Sequence, residues 1–131
     1  MKLPPLFRDR PVAVQVILAV VLPIAFGALC GFELAQSRPA FQILMLVAGI
    51  GGVGAGFEHP GARPGAVRGV VGGVLFTAAL VLVFELRGLP ALTPLPASLP
   101  ATAIGYAAGG PLLGALGGWL RALSIARATA R

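Results

Sequence analysis

The sequence predicts an all-α fold, a polytopic transmembrane bundle of four helices with both ends in the cytoplasm and with glycine-rich helix packing. Three observations carry that expectation. Four apolar runs are each long enough to cross a bilayer, the basic residues gather between alternate runs, and glycines recur at four-residue steps inside the runs.

Composition sets the solvent. Of 131 residues, 57% are hydrophobic and 11% charged, against roughly 25% charged in a soluble domain. A short chain has too little interior to hide that much apolar surface from water, so lipid is the fitting surroundings. The net charge of +6 would suggest nucleic acid if it formed a stripe interleaved with aromatics. Here the basic residues are scattered between apolar runs, so no nucleic-acid partner is expected.

A spanning helix needs about 20 mostly apolar residues. Helices are expected at 12–35, 40–57, 66–86 and 101–123, making residues 1–131 one transmembrane domain. The uncharged stretch Pro11 to Phe32 has 22 residues, whereas a signal peptide's apolar region has only about 7–15. It is therefore expected to be a retained helix. Gly27-Ala28-Leu29-Cys30 resembles a lipoprotein cleavage box, but Leu29 is too large for the position before the cysteine. As a single cysteine, Cys30 can form no intrachain disulfide.

The joints between the runs carry helix-stopping chemistry. Ser37-Arg38-Pro39 forms a tight turn, His59 to Gly65 holds two prolines among its glycines, and Gly88 to Pro100 contains Pro90, Pro94, Pro96 and Pro100. Proline lacks an amide donor and restricts the residue before it. Pro23 and Pro111 fall inside spans and predict kinks.

Orientation follows from charge, because cytoplasmic loops hold excess Lys and Arg. With the amino terminus inside, Lys2, Arg8, Arg10, Arg63, Arg68, Arg121, Arg127 and Arg131 lie inside, and only Arg38 and Arg87 lie outside. The expected location is a multi-pass position in the plasma membrane of a prokaryote.

Glycines mark faces. Gly65, Gly69 and Gly73 step by four along the third run, Gly110, Gly114 and Gly118 along the fourth, and Gly52 and Gly56, after Ala48, along the second. Gly27 and Gly31 do so in the first. Four-residue steps stay on one helix face, and small residues there let backbones approach closely in lipid. A glycine zipper is expected, joining helices of one chain or of two copies. Phe32-Glu33-Leu34 and Phe84-Glu85-Leu86 end the first and third runs alike, a three-residue hint of duplication.

The charged residues offer little chemistry. No Asp, Glu, Lys, Arg or His falls near the middle of a run, where ion-coupled transporters usually place one. Glu33, Glu58 and Glu85 end helices, where the dipole disfavours a carboxylate. Glu58 and Arg68 flank one loop and are the candidate ion pair. Glu33, Arg38, Glu85 and Arg87 are the candidate outer-face charge cluster. Glu58-His59 lacks the third ligand a metal requires, and neither a Ser-His-Asp set nor a phosphate loop in the right context is present.

No catalytic residue, metal ligand or cofactor is expected, and the chain is not expected to be an enzyme. The expected role is a small membrane protein acting through helix packing, as a subunit, scaffold or self-associating bundle. The expected partners are the lipid bilayer and a second copy or another membrane protein. The alternative is a small oligomeric channel or passive transporter that uses its glycine faces to line or close a pore.

Overall fold

With no water to satisfy the backbone, an apolar run in lipid must bond to itself as a helix. In a computed structural model, which describes residues 3–94 and 98–130, the four runs do so. Lys2, Pro96 and Arg131, which figure in the sequence argument, lie outside the described residues. Helix α1 spans Val12–Leu34, α2 Arg38–Phe57, α3 Ala62–Arg87 and α4 Leu99–Thr129, and all four are long and apolar enough to cross a membrane. Among the described residues there is no strand.

The helix ends follow local chemistry. Ser37 is not part of a free turn but the N-cap of α2, its Oγ accepting from the Ala40 amide at 3.4 Å. Arg38 and Pro39 are already helical. Helix α3 begins four residues earlier than expected. Pro64 falls within its first turn, where proline's missing N–H has no intrahelical acceptor to lose. Gly88 ends α3 with φ 61°, a left-handed cap suited to glycine. Helix α4 runs past residue 123 to Thr129, because leaving the apolar layer does not oblige a helix to unwind.

Pro23 leaves a mark upstream. Residues Ile17–Val21 of α1 are wound as a π-helix, and the Leu22 amide bonds the Ile17 carbonyl five residues back. In that register the next donor would be residue 23, which has no N–H. The carbonyl of Leu18 is thereby left without an intrahelical partner.

Close approaches show the relative directions. Gly27 meets the Phe76 carbonyl and Gly31 that of Leu80, so α1 and α3 run parallel. Gly65 meets Gly114 and Gly69 meets Gly110, so α3 and α4 run antiparallel, while Gly52 beside Leu113 and Gly117 against Val53 and Phe57 make α2 parallel to α4. Helices thus alternate in direction, and the start of α1 and the end of α4 lie at one end of the bundle, here called the terminal end. The α3–α4 contact is the most extensive, α1 packs on α3 and α2 on α4, and α1 and α2 touch little. The two hairpins are therefore packed differently despite their matching Phe-Glu-Leu ends. At the opposite end, Cys30, Leu34, Phe41 and Leu80 form a buried core, and the loop after α3 folds back to place the Leu92 amide on the Leu34 carbonyl at 2.9 Å.

Candidate functional site

Two features stand out: a knot of cations and aromatics at the terminal end, and an apolar cleft running from it into the bundle.

The knot is built by the segment before α1. Its single 3-10 turn, Phe7–Asp9, is pulled onto the end of α2 by the Phe7 amide, which donates to the Glu58 carbonyl at 2.9 Å. The Phe7 ring stacks on His59 at 5.4 Å between centroids. This brings Arg10 to Glu58, Nη2 to Oε1 at 2.5 Å. The expected pair of Glu58 with Arg68 is corrected accordingly. Among the described residues no ion pair joins them. The folded-back arm presents Arg10 first, while a backbone carbonyl claims Arg68.

That carbonyl is Leu18, the one orphaned by Pro23. Arg68, 9% exposed, donates Nη2 to it at 2.5 Å. A bare carbonyl in lipid costs several kcal/mol, so a cation in the first turns of α3, otherwise disfavoured by the helix dipole, has a structural reason to be there. Arg121, 6% exposed, plays a related part. Its Nη1 donates to Phe57 at 3.0 Å and its Nη2 to Pro4 at 2.9 Å. It thus caps the carboxyl end of α2, where a cation suits the dipole, and ties the amino-terminal arm to α4. His59 Nδ1 lies 3.0 Å from the Ala55 carbonyl and, when protonated there, donates to it. Sequence reasoning counted Arg10 and Arg121 only as topology markers. The available signal was the position of Arg121 within an apolar run, three residues past the Gly117-Gly118 pair.

The outer-face cluster is also corrected. Among the described residues no ion pair joins Glu33, Arg38, Glu85 and Arg87. Arg87 lies instead over the Phe32 ring at 3.8 Å and bonds the Gln36 side chain at 3.1 Å and the Phe32 carbonyl at 3.3 Å. Glu85 is exposed, and water and headgroups screen such carboxylates well enough to leave little drive for pairing.

The glycine positions fall into two kinds. A Cβ on Gly65 or Gly69 would strike the carbonyl of Gly114 or Gly110, and the reverse holds for each pair, so these contacts are reciprocal. Gly73 sits where a Cβ would lie 2.8 Å from the Ala107 carbonyl oxygen, the acceptor left free by Pro111, and Gly118 abuts Gly61. Gly56 also meets Gly114, whereas Gly52 faces only the Leu113 side chain, at 3.2 Å. A glycine hydrogen aimed at a carbonyl makes a weak C–H···O bond, about 0.5–1 kcal/mol each. Gly117, off the four-residue ladder, gives α4 a second contact face, against α2. By contrast, a Cβ on Gly49, Gly51, Gly54, Gly105 or Gly109 would meet nothing within 4 Å.

Four of those five line the cleft. It encloses about 430 Å³ among all four helices, with Leu18, Leu22 and Phe26 on one wall and Met45 on another. Arg68 and Tyr106 are the polar side chains on it. That size is within the usual range of about 300–1,000 Å³ for small-ligand sites. Among the described residues no group of three His, Cys, Asp or Glu side chains is placed to hold a metal.

No protein-family model matches the chain, and neither a curated protein nor a solved structure matches it.

Proposed function

We propose that the chain is a non-enzymatic integral membrane protein that acts through helix packing, as a rigid membrane subunit or scaffold, with both termini on the cytoplasmic face. The observation that carries this reading is the reciprocal glycine–carbonyl contact between α3 and α4. It directs the longest glycine ladders into the chain itself, stiffening one hairpin as a spine on which α1 and α2 are mounted. The knot supports a structural reading too, since Arg68, Arg121 and His59 each engage a backbone carbonyl. Orientation rests on the basic residues. Arg10, Arg68 and Arg121 meet at the terminal end and Arg87 lies at the other, the asymmetry that favours a cytoplasmic terminal end.

Valine at Gly69 or Gly110 tests the spine. Each should destabilise the detergent-solubilised protein by roughly 3 kcal/mol or more, because a branched side chain must force two backbones apart. Unchanged unfolding of both variants would sink the reading. Reporter fusions after Gln36 should read outside, and fusions after Gly61 and at the carboxyl terminus inside. An outside carboxyl terminus would refute the orientation.

The cleft favours a second reading, a small channel or passive transporter. Solute flux from liposomes above that of empty vesicles, reduced by Gly109→Leu in folded protein, would select it over the scaffold.

A further inference from the structure

Beyond packing, the geometry points to a lipid site. We propose that the cleft takes one acyl chain of an anionic phospholipid, whose phosphate is held by Arg68.

The first argument is shape. Glycines at 49, 51, 105 and 109 leave open space where any other residue would project a side chain, and no helix approaches them. Helix packing therefore does not account for them; Gly49 and Gly109 are half-buried in the cleft, while Gly51 and Gly105 are exposed along its edge. The walls are hydrocarbon, and α1 and α2, which bound the cleft on two sides, touch little. An alkyl chain can enter there from the bilayer without meeting a polar barrier. On α3 the cleft extends from Arg68 to Phe76, about 12 Å at 1.5 Å per residue. That is close to one leaflet of a hydrocarbon core about 30 Å thick.

The second argument is charge. Arg68 lies at the terminal end of the cleft and is 9% exposed. Only one of its nitrogens is satisfied by the protein, Nη2 on the Leu18 carbonyl. Its Nε is buried without an acceptor. Its Nη1 lies 3.0 Å from where a Cβ on Gly72 would sit, beside Pro23, and has no acceptor among the described residues. Gly72 and Pro23 both line the cleft. A buried guanidinium with no carboxylate in contact needs a counter-charge, and phosphate oxygens suit its planar donor fork. A cation at one end of an alkyl-shaped space is complementary to an amphiphile with an anionic head.

The proposal rests on the membrane reading, which the reporter fusions test separately. Its own test is native mass spectrometry of the full chain in detergent, with phosphatidylglycerol, phosphatidylcholine and inorganic phosphate as probes. Phosphatidylglycerol should bind at least about tenfold more tightly than phosphatidylcholine, the worth of one charge-assisted hydrogen bond. Inorganic phosphate, lacking a chain, should not compete at equal concentration. Gly105→Leu and Gly109→Leu should each weaken phosphatidylglycerol by about tenfold or more with the melting temperature unchanged. Gly54→Leu, outside the cleft, should bind as wild type does. Arg68→Gln should erase the preference for the anionic head. If a leucine variant does not fold, alanine at the same position takes its place, and if Arg68→Gln does not fold, the headgroup comparison and the glycine variants decide. Equal binding of the two lipids, wild-type binding by the cleft variants, or competition by phosphate alone would each overturn the proposal.

Discussion

The bond from Arg68 to Leu18 predicts an energetic coupling between two residues that no sequence pattern connects, Arg68 and Pro23. Pro23 deprives the Leu18 carbonyl of its donor, and Arg68 Nη2 replaces that donor at 2.5 Å. Replacing Arg68 by methionine keeps most of the volume and removes the bond. Losing a bond to a charged donor and leaving a buried carbonyl bare should cost about 2–3 kcal/mol. Pro23→Ala restores an N–H to α1. Whether α1 keeps the π register or relaxes to regular α-helix, the Leu18 carbonyl then has an intrahelical donor. In that background Arg68→Met should cost about 1–2 kcal/mol less, because the carbonyl is no longer bare. The contact of Arg68 with the Phe7 ring, at 5.7 Å, is lost in both backgrounds and cancels from the cycle. The measurement is unfolding in detergent of wild type, Pro23→Ala, Arg68→Met and the double variant. Equal cost of Arg68→Met in both backgrounds would show that the bond is incidental and that Pro23 does not explain Arg68.

A double-mutant cycle over Arg10 and Glu58 should give a coupling of roughly 0.5–1 kcal/mol that shrinks with added salt, as a partly exposed pair requires, whereas the cycle over Glu58 and Arg68 should give less. Arg121→Met should cost about 2–4 kcal/mol by stripping two carbonyls of their donor, and limited proteolysis should then cut the arm at residues 3–10 before the helices are attacked. Arg87→Met should change unfolding by less than about 1 kcal/mol, since its partners lie at an exposed helix end, and a loss as large as that at Arg121 would mean the outer end is drier than its exposure indicates.

How far the site could be read from sequence depended on whether its parts are neighbours along the chain. The steps Gly65-Gly69-Gly73 and Gly110-Gly114-Gly118 are legible because helical periodicity places them on one face whatever surrounds them. The ladder could not say what it would meet, nor that Gly117 would meet α2 while Gly105 and Gly109 would meet nothing. Glu58 illustrates the same limit. Its awkward place at the end of a helix announced a need for a cation, and Arg68, across the same short loop at the start of the next helix, was the candidate. The cation supplied is Arg10, 48 residues away, because the arm folds back.

By itself the sequence determined four helices of membrane-spanning length and the need for proline and carboxylate to be compensated somewhere. Those follow from terms summed over neighbouring residues: transfer of side chains to lipid, proline's missing donor, and a fixed helical pitch. The tertiary structure alone decided which carbonyl Arg68 would satisfy, that Arg121 would join Pro4 to Phe57, and that α1 and α2 would stand apart over a glycine-floored cleft. Each of these is a competition among groups distant in sequence, settled by which helices lie side by side.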